Sequence, residues 1–184
     1  MNAQSELDSP PPAPPWQVSR WFNAPEGFGL DQLRGRVVVL HTFQMLCPGC
    51  VSHGLPQAKL VRATFPPEDV AVVGLHTVFE HHAVMNDAAL EVFLHEYRID
   101  FPVGVDCPAT DGPTPCTMAA YALRGTPSVV LIDRHGRLVS SLFGAMQDMS
   151  LGAAIASLVE QPSDTRTLAH KPDSAAASGP RCGV

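Results

Sequence analysis

The chain has 184 residues, 45% of them hydrophobic, with a net charge of −6 and a pI near 5.7. That length suits one domain with tails, and an acidic balance with no basic run excludes a nucleic-acid partner, which would need clustered Lys and Arg. No window approaches the roughly 20 apolar residues of a membrane span, and the opening MNAQSELDSP lacks the basic start and apolar run of an export signal, so the expectation is a monomeric, cytoplasmic protein with no membrane partner.

In chain order, residues 1–20 are expected to be a disordered Pro-rich segment, because DSPPPAPP is extended and packs no core of its own. The folded domain is expected over 21–160. Val37–Phe43, an apolar β-branched run, predicts a buried strand. Residues 51–65 place Val51, Leu55, Ala58, Val61 and Phe65 on a helical period, with a kink at Pro56. Val70–Leu75 predicts a second buried strand. Residues 87–98 carry a helical stripe of Leu90, Phe93, Leu94 and Tyr97, capped by Asn86 or Asp87. Phe101–Val105 reads as a short strand or an extended lead-in. Ser128–Ile132 and Arg137–Phe143 form a hairpin through DRHG, with Gly136 in the left-handed region. Leu151, Ala154, Ile155, Leu158 and Val159 mark a last helix. Residues 161–184 are expected to be a flexible polar tail. The order β-α-β-α, hairpin, α asks for an α/β fold, with parallel strands joined by crossover helices and an antiparallel edge.

The five cysteines are Cys47, Cys50, Cys107, Cys116 and Cys182. They are too few, and odd in number, for a secreted disulfide framework. Cys47-Pro48-Gly49-Cys50 sits where a strand ends and a helix begins. A cysteine there faces unpaired backbone N–H groups and the positive end of the helix dipole, which favour the thiolate. Pro48 suits a first helical turn. Two intervening residues put the sulfurs one turn apart, so Cys47 can attack a substrate disulfide and Cys50 can resolve the product. The competing readings are half a zinc site or two unreactive thiols; no second Cys or His pair follows at zinc-knuckle spacing.

With those residues in view, the chain resembles the thioredoxin superfamily, in its redoxin branch of TlpA- and ResA-like thiol–disulfide reductases. LDQLRGRVVVLHTF resembles the lead-in to that branch's active-site strand, MLCPGCVSHGLP its active-site helix, and FPVGVD with GTPSVVLIDRHGRLV its second half. The resemblance implies a thioredoxin fold, a central mixed β-sheet flanked by helices. It also implies disulfide exchange on protein thiols without an organic cofactor or metal, served by an upstream redox partner. Thr126-Pro127 stands where the family has its cis-proline. His41 stands where thioredoxins carry a buried Asp that moves the second cysteine's proton, and a histidine can move protons near neutral pH; a hydrogen-bonded core histidine is the alternative. Glu80 resembles by position a family Glu near the cysteine pair. Leu46 departs from the family's Trp before the first cysteine.

Cys107 and Cys116 flank PATDGPTP, an insertion before Thr126-Pro127, and are a candidate second thiol pair. Cys182 reads as an accessible thiol. His53, three residues past Cys50, either raises the local positive potential or is a surface histidine. His76, His81, His82 and Glu80 are either a solvated loop or ligands for zinc or copper. A peroxiredoxin-like peroxidase would need a Pro at position 40 and a Thr at 44, where the chain has Leu40 and Gln44. A non-enzymatic metal chaperone would use Cys47, Cys50 and a histidine; copper-carrying redoxins resemble this arrangement but space their cysteines by three residues rather than two.

Overall fold

A computed structural model describes residues 9–161. Six strands form one mixed sheet: β1 (Val18–Phe22), β2 (Val37–Phe43), β3 (Val70–His76), β4 (Val103–Asp106), β5 (Ser128–Ile132) and β6 (Leu138–Phe143), in the order β1-β4-β3-β2-β5-β6. The β2, β3 and β4 strands run parallel, while β1, β5 and β6 pair antiparallel with their neighbours. The helices are α1 (Leu55–Thr64), α2 (Asp87–Glu96), α3 (Cys116–Ala120) and α4 (Asp148–Glu160). This is the mixed sheet flanked by helices that the resemblance implied. Among the described residues no helix is long and apolar enough to cross a membrane.

Both faces of β2 are buried, as a central parallel strand requires. Val37, Val39 and Phe43 meet Leu55, Ala58 and Val61 of α1, Leu90 and Leu94 of α2, and Leu151, Ile155 and Leu158 of α4. The alternate residues Val38 and Leu40 turn to the other face, toward Leu30, Leu33, Met118 and Tyr121.

That second face overturns part of the expected organisation. Of the Pro-rich segment 1–20, the described residues 9–20 are tied to the fold. The Leu138 N–H donates to the Pro11 carbonyl at 2.8 Å, the Ala13 N–H to the Gly136 carbonyl at 2.9 Å, and the Tyr121 hydroxyl to the Pro14 carbonyl at 2.6 Å. Trp16 and Trp21 then pack their rings 5.9 Å apart over the second core, and Phe28 meets Trp21 edge-on at 4.9 Å. The segment is extended, as proline demands, but an exposed apolar sheet face gives it something to cover. Residues 1–8 and the expected tail from 162 onward, Cys182 included, lie outside the described residues.

Two further differences have local causes. Cys50–Gly54 is a π-helical turn leading into α1, because Pro56 has no N–H and its ring crowds the preceding turn. Strand β4 is Val103–Asp106 rather than 101–105, and α3, which periodicity could not show in so few residues, follows the insertion.

Trp16→Ala should lower stability by about 2 kcal/mol, below the range for a fully buried Trp because this ring is half-buried. Urea denaturation measures it; a change under about 0.5 kcal/mol would mean that the N-terminal segment adds nothing to the core.

Candidate functional site

Strand β2 ends at Phe43, and four residues later the chain reaches Cys47. Cys47 and Cys50 are joined as a disulfide, with their Cα atoms 5.2 Å apart. Cys50 is fully buried and packs into the main core, whereas Cys47 is half-exposed. The Cys50 N–H donates to the Cys47 sulfur at 3.2 Å. A sulfur held this way carries negative charge more easily than a free thiol does.

Thr126-Pro127 is a cis peptide, immediately before β5. The Cys47 sulfur lies 3.6 Å from the Thr126 carbonyl oxygen. The helix start and the proline fit because two glycines leave room: a Cβ on Gly49 would sit 3.3 Å from the Pro127 Cδ, and one on Gly54 3.1 Å from its Cβ. The Gly144 N–H donates to the Pro127 carbonyl at 2.8 Å, which anchors the loop from behind.

Around this centre the sequence-predicted residues divide. Leu46 is 59% exposed beside Cys47 and presents an apolar surface where the family has Trp. His41 is buried in β2, and strand alternation puts it on the face of Val39 and Phe43, the one covered by α1 and Cys50. Neither of its ring nitrogens meets a hydrogen-bond partner among the described residues. Burial, with a smaller contribution from His53, lowers its pKa from 6.5 to about 4. It is therefore neutral at pH 7 and is not the hydrogen-bonded core histidine that was the alternative. Glu80 is exposed and makes no hydrogen bond or ion pair among the described residues. His76 is buried at the end of β3 against Phe43, with ring centroids 5.3 Å apart, while His81 and His82 are exposed. They do not converge: among the described residues no three His, Cys, Asp or Glu side chains could hold a metal ion.

The sequence did not point to the residues that lock the helix in place. Gln57 is buried, and its amide donates to the Met146 carbonyl at 2.8 Å and to the Asp148 carboxylate at 2.7 Å. A His53 ring nitrogen reaches the same Met146 carbonyl at 3.1 Å. These bonds tie the start of α1 to the entry of α4. A polar residue at an otherwise apolar helical position was the available signal.

Two buried neutral histidines set a pH dependence. Burial lowers the His76 pKa from 6.5 to about 4 as well. Between those values the unfolded chain binds more protons than the folded one, so stability falls as pH falls, by at most about 3 kcal/mol per histidine. Denaturation midpoints should be level above pH 6.5, decline toward pH 4, and decline less in His41→Leu; equal slopes in parent and variant would remove His41 from the account.

No protein-family model matches the chain. Among curated proteins it is similar to the thiol-disulfide oxidoreductase ResA of Halalkalibacterium halodurans, 24% identical over 125 residues, covering 67% of this chain and 62% of the relative; the chain thus spans less than two thirds of that protein's length. Among solved structures, a thioredoxin-like superfamily protein is 55% identical, with a TM-score of 0.81 over 83% of this chain and 98% of the other. A thiol-disulfide isomerase from Corynebacterium glutamicum is 47% identical, with a TM-score of 0.78 over 82% of this chain and 98% of the other. Similarity at that level over almost the whole of both relatives, joined to the disulfide at the head of a helix, places this chain in the thioredoxin-like superfamily, among its thiol–disulfide oxidoreductases.

Proposed function

We propose that the chain exchanges disulfides with protein substrates through a mixed disulfide on Cys47, which Cys50 resolves. The observation that carries this reading is the asymmetry of the pair: one sulfur half-exposed beside an apolar Leu46, the other fully buried one turn behind it. In the reduced state the Cys47 thiolate attacks one sulfur of a substrate disulfide and expels the other as a thiolate. Cys50 then loses its proton and attacks the Cys47 sulfur, releasing the substrate as a dithiol. The enzyme is left with the Cys47–Cys50 disulfide, and an upstream dithiol partner returns two electrons and two protons. Run backwards, the same steps oxidise a substrate.

Thr126 and Pro127 form the wall against which the Cys47 sulfur rests, and the resemblance implies that substrate backbone lies along them. His41 differs from the buried Asp it replaces. With a pKa near 4 it is a weak base, so its proposed part is to keep the space under the helix uncharged rather than to store the Cys50 proton. Glu80, in solvent, has no proposed catalytic part.

Insulin-type disulfide reduction tests the reading. Cys47→Ser should lose at least about a hundredfold in rate, and Cys50→Ser should accumulate a substrate-linked species on Cys47. A Cys47→Ser protein as active as the parent would refute the assignment. Glu80→Gln should remain within about twofold of the parent.

A further inference from the structure

Among the described residues, the two cysteines outside this site lie together. Cys107 follows the last residue of β4 and Cys116 opens α3, with the turn-rich stretch 108–115 between them. Their backbones are already joined: the Cys116 N–H donates to the Cys107 carbonyl at 2.9 Å. Standard bond lengths then hold the two Cα atoms within roughly 6.8 Å of each other, inside the span that a disulfide bridges. The Cys116 sulfur lies 3.7 Å from the carbonyl oxygen of Pro108, directly beyond Cys107. Both thiols are free and half-buried, so a small reagent can reach them.

Neighbouring bonds hold the two ends in place. The buried Asp106 carboxylate accepts from the Thr117 N–H at 2.8 Å, the Met118 N–H at 2.9 Å and the Thr77 hydroxyl at 2.9 Å. The Cys107 N–H donates to the Gln17 carbonyl at 2.9 Å, and the Thr117 hydroxyl bonds the same carbonyl at 3.2 Å. The residues flanking each sulfur are thus fixed by the rest of the fold, while 110–114 are exposed. A loop with anchored ends and a loose middle can gain a cross-link without unfolding its surroundings.

We propose that Cys107 and Cys116 form a second, reversible disulfide that closes this loop, made by exchange with a low-molecular-weight disulfide such as oxidised glutathione. Burial pushes the Cys107 thiol up, and the nearby Cys116 and Asp106 push it further, which disfavours Cys107 as the first attacking thiolate. The Cys116 thiolate bonds to one glutathione sulfur and expels the other as a thiolate. Cys107 then gives its proton to solvent and attacks the Cys116 sulfur, releasing the second glutathione. The protein loses two electrons and two protons, and the glutathione disulfide becomes two thiols. The couple lies on the sheet edge that carries Cys47–Cys50, since β2, β3 and β4 are parallel and end together. It does not depend on the function proposed for that site.

The test uses the full chain with Cys182→Ser, treated with oxidised glutathione, acid-quenched, alkylated and digested for mass spectrometry. The expected product is a peptide pair linked through Cys107 and Cys116, with both thiols protected from alkylation and both released by dithiothreitol. The same link should form when Cys47 and Cys50 are replaced by Ser, which separates this outcome from failure of the main site. In Cys107→Ser, where no resolving thiol remains, a glutathione adduct should build up on Cys116. Cys107 and Cys116 both fully alkylated after treatment, or each bearing its own glutathione, would overturn the proposal.

Discussion

Antiparallel pairing of β5 with β2 sets Thr42 opposite Ser128 and His41 opposite Val129, and through that register it brings two distant parts of the chain to one point. The residue after β2 and the residue before β5 must then lie at the same edge of the sheet. Cys47 follows the first and Thr126-Pro127 precedes the second, 79 residues away. Neither segment makes a site alone. The contact also needs backbones to approach closely, which is why Gly49 and Gly54 face Pro127.

The redox asymmetry of the cysteine pair follows from the same packing. Because the helix start is pressed against Pro127 and tied by Gln57 and His53 to the entry of α4, Cys50 is driven into the core while Cys47 remains at the rim. Exchange chemistry needs one sulfur that meets the substrate and another that meets only its partner. The underlying core is kept neutral: two histidines occupy it, both too desolvated to charge at pH 7. A neutral floor leaves the helix N-terminus and the Cys50 N–H as the local groups that favour a thiolate on Cys47.

The opposite face shows how little regular structure a sheet needs in order to be covered. Here a proline-rich strand lead-in and two tryptophans close the surface that the main helices leave open. Proline costs nothing there, since the Pro11 and Pro14 carbonyls still accept from Leu138 and Tyr121 respectively and no ladder requires the missing N–H groups. The same segment reaches Thr117 and the Cys107 backbone through Gln17, so the second cysteine pair is braced by residues far away in sequence.

Local signals settled a good deal by themselves. The β2, β3 and β5 strands are continuous apolar runs, the α2 cap is an Asn before a helical stripe, and the Cys-Pro-Gly-Cys motif stands at a strand-to-helix junction; each depends on neighbours within a few residues, so each was legible. What lay beyond the sequence depends on which surfaces meet. Pro12 to Trp16 read as a loose extension until a bare sheet face is put beneath it. His41 and Glu80 held equivalent places as titratable candidates, yet one is sealed under a helix and the other lies in solvent, a difference that burial alone creates. The approach of Cys107 and Cys116 rests not on their spacing but on the bond from the Cys116 N–H to the Cys107 carbonyl and on the Asp106, Thr77 and Gln17 contacts around it, which exist only after the chain has folded.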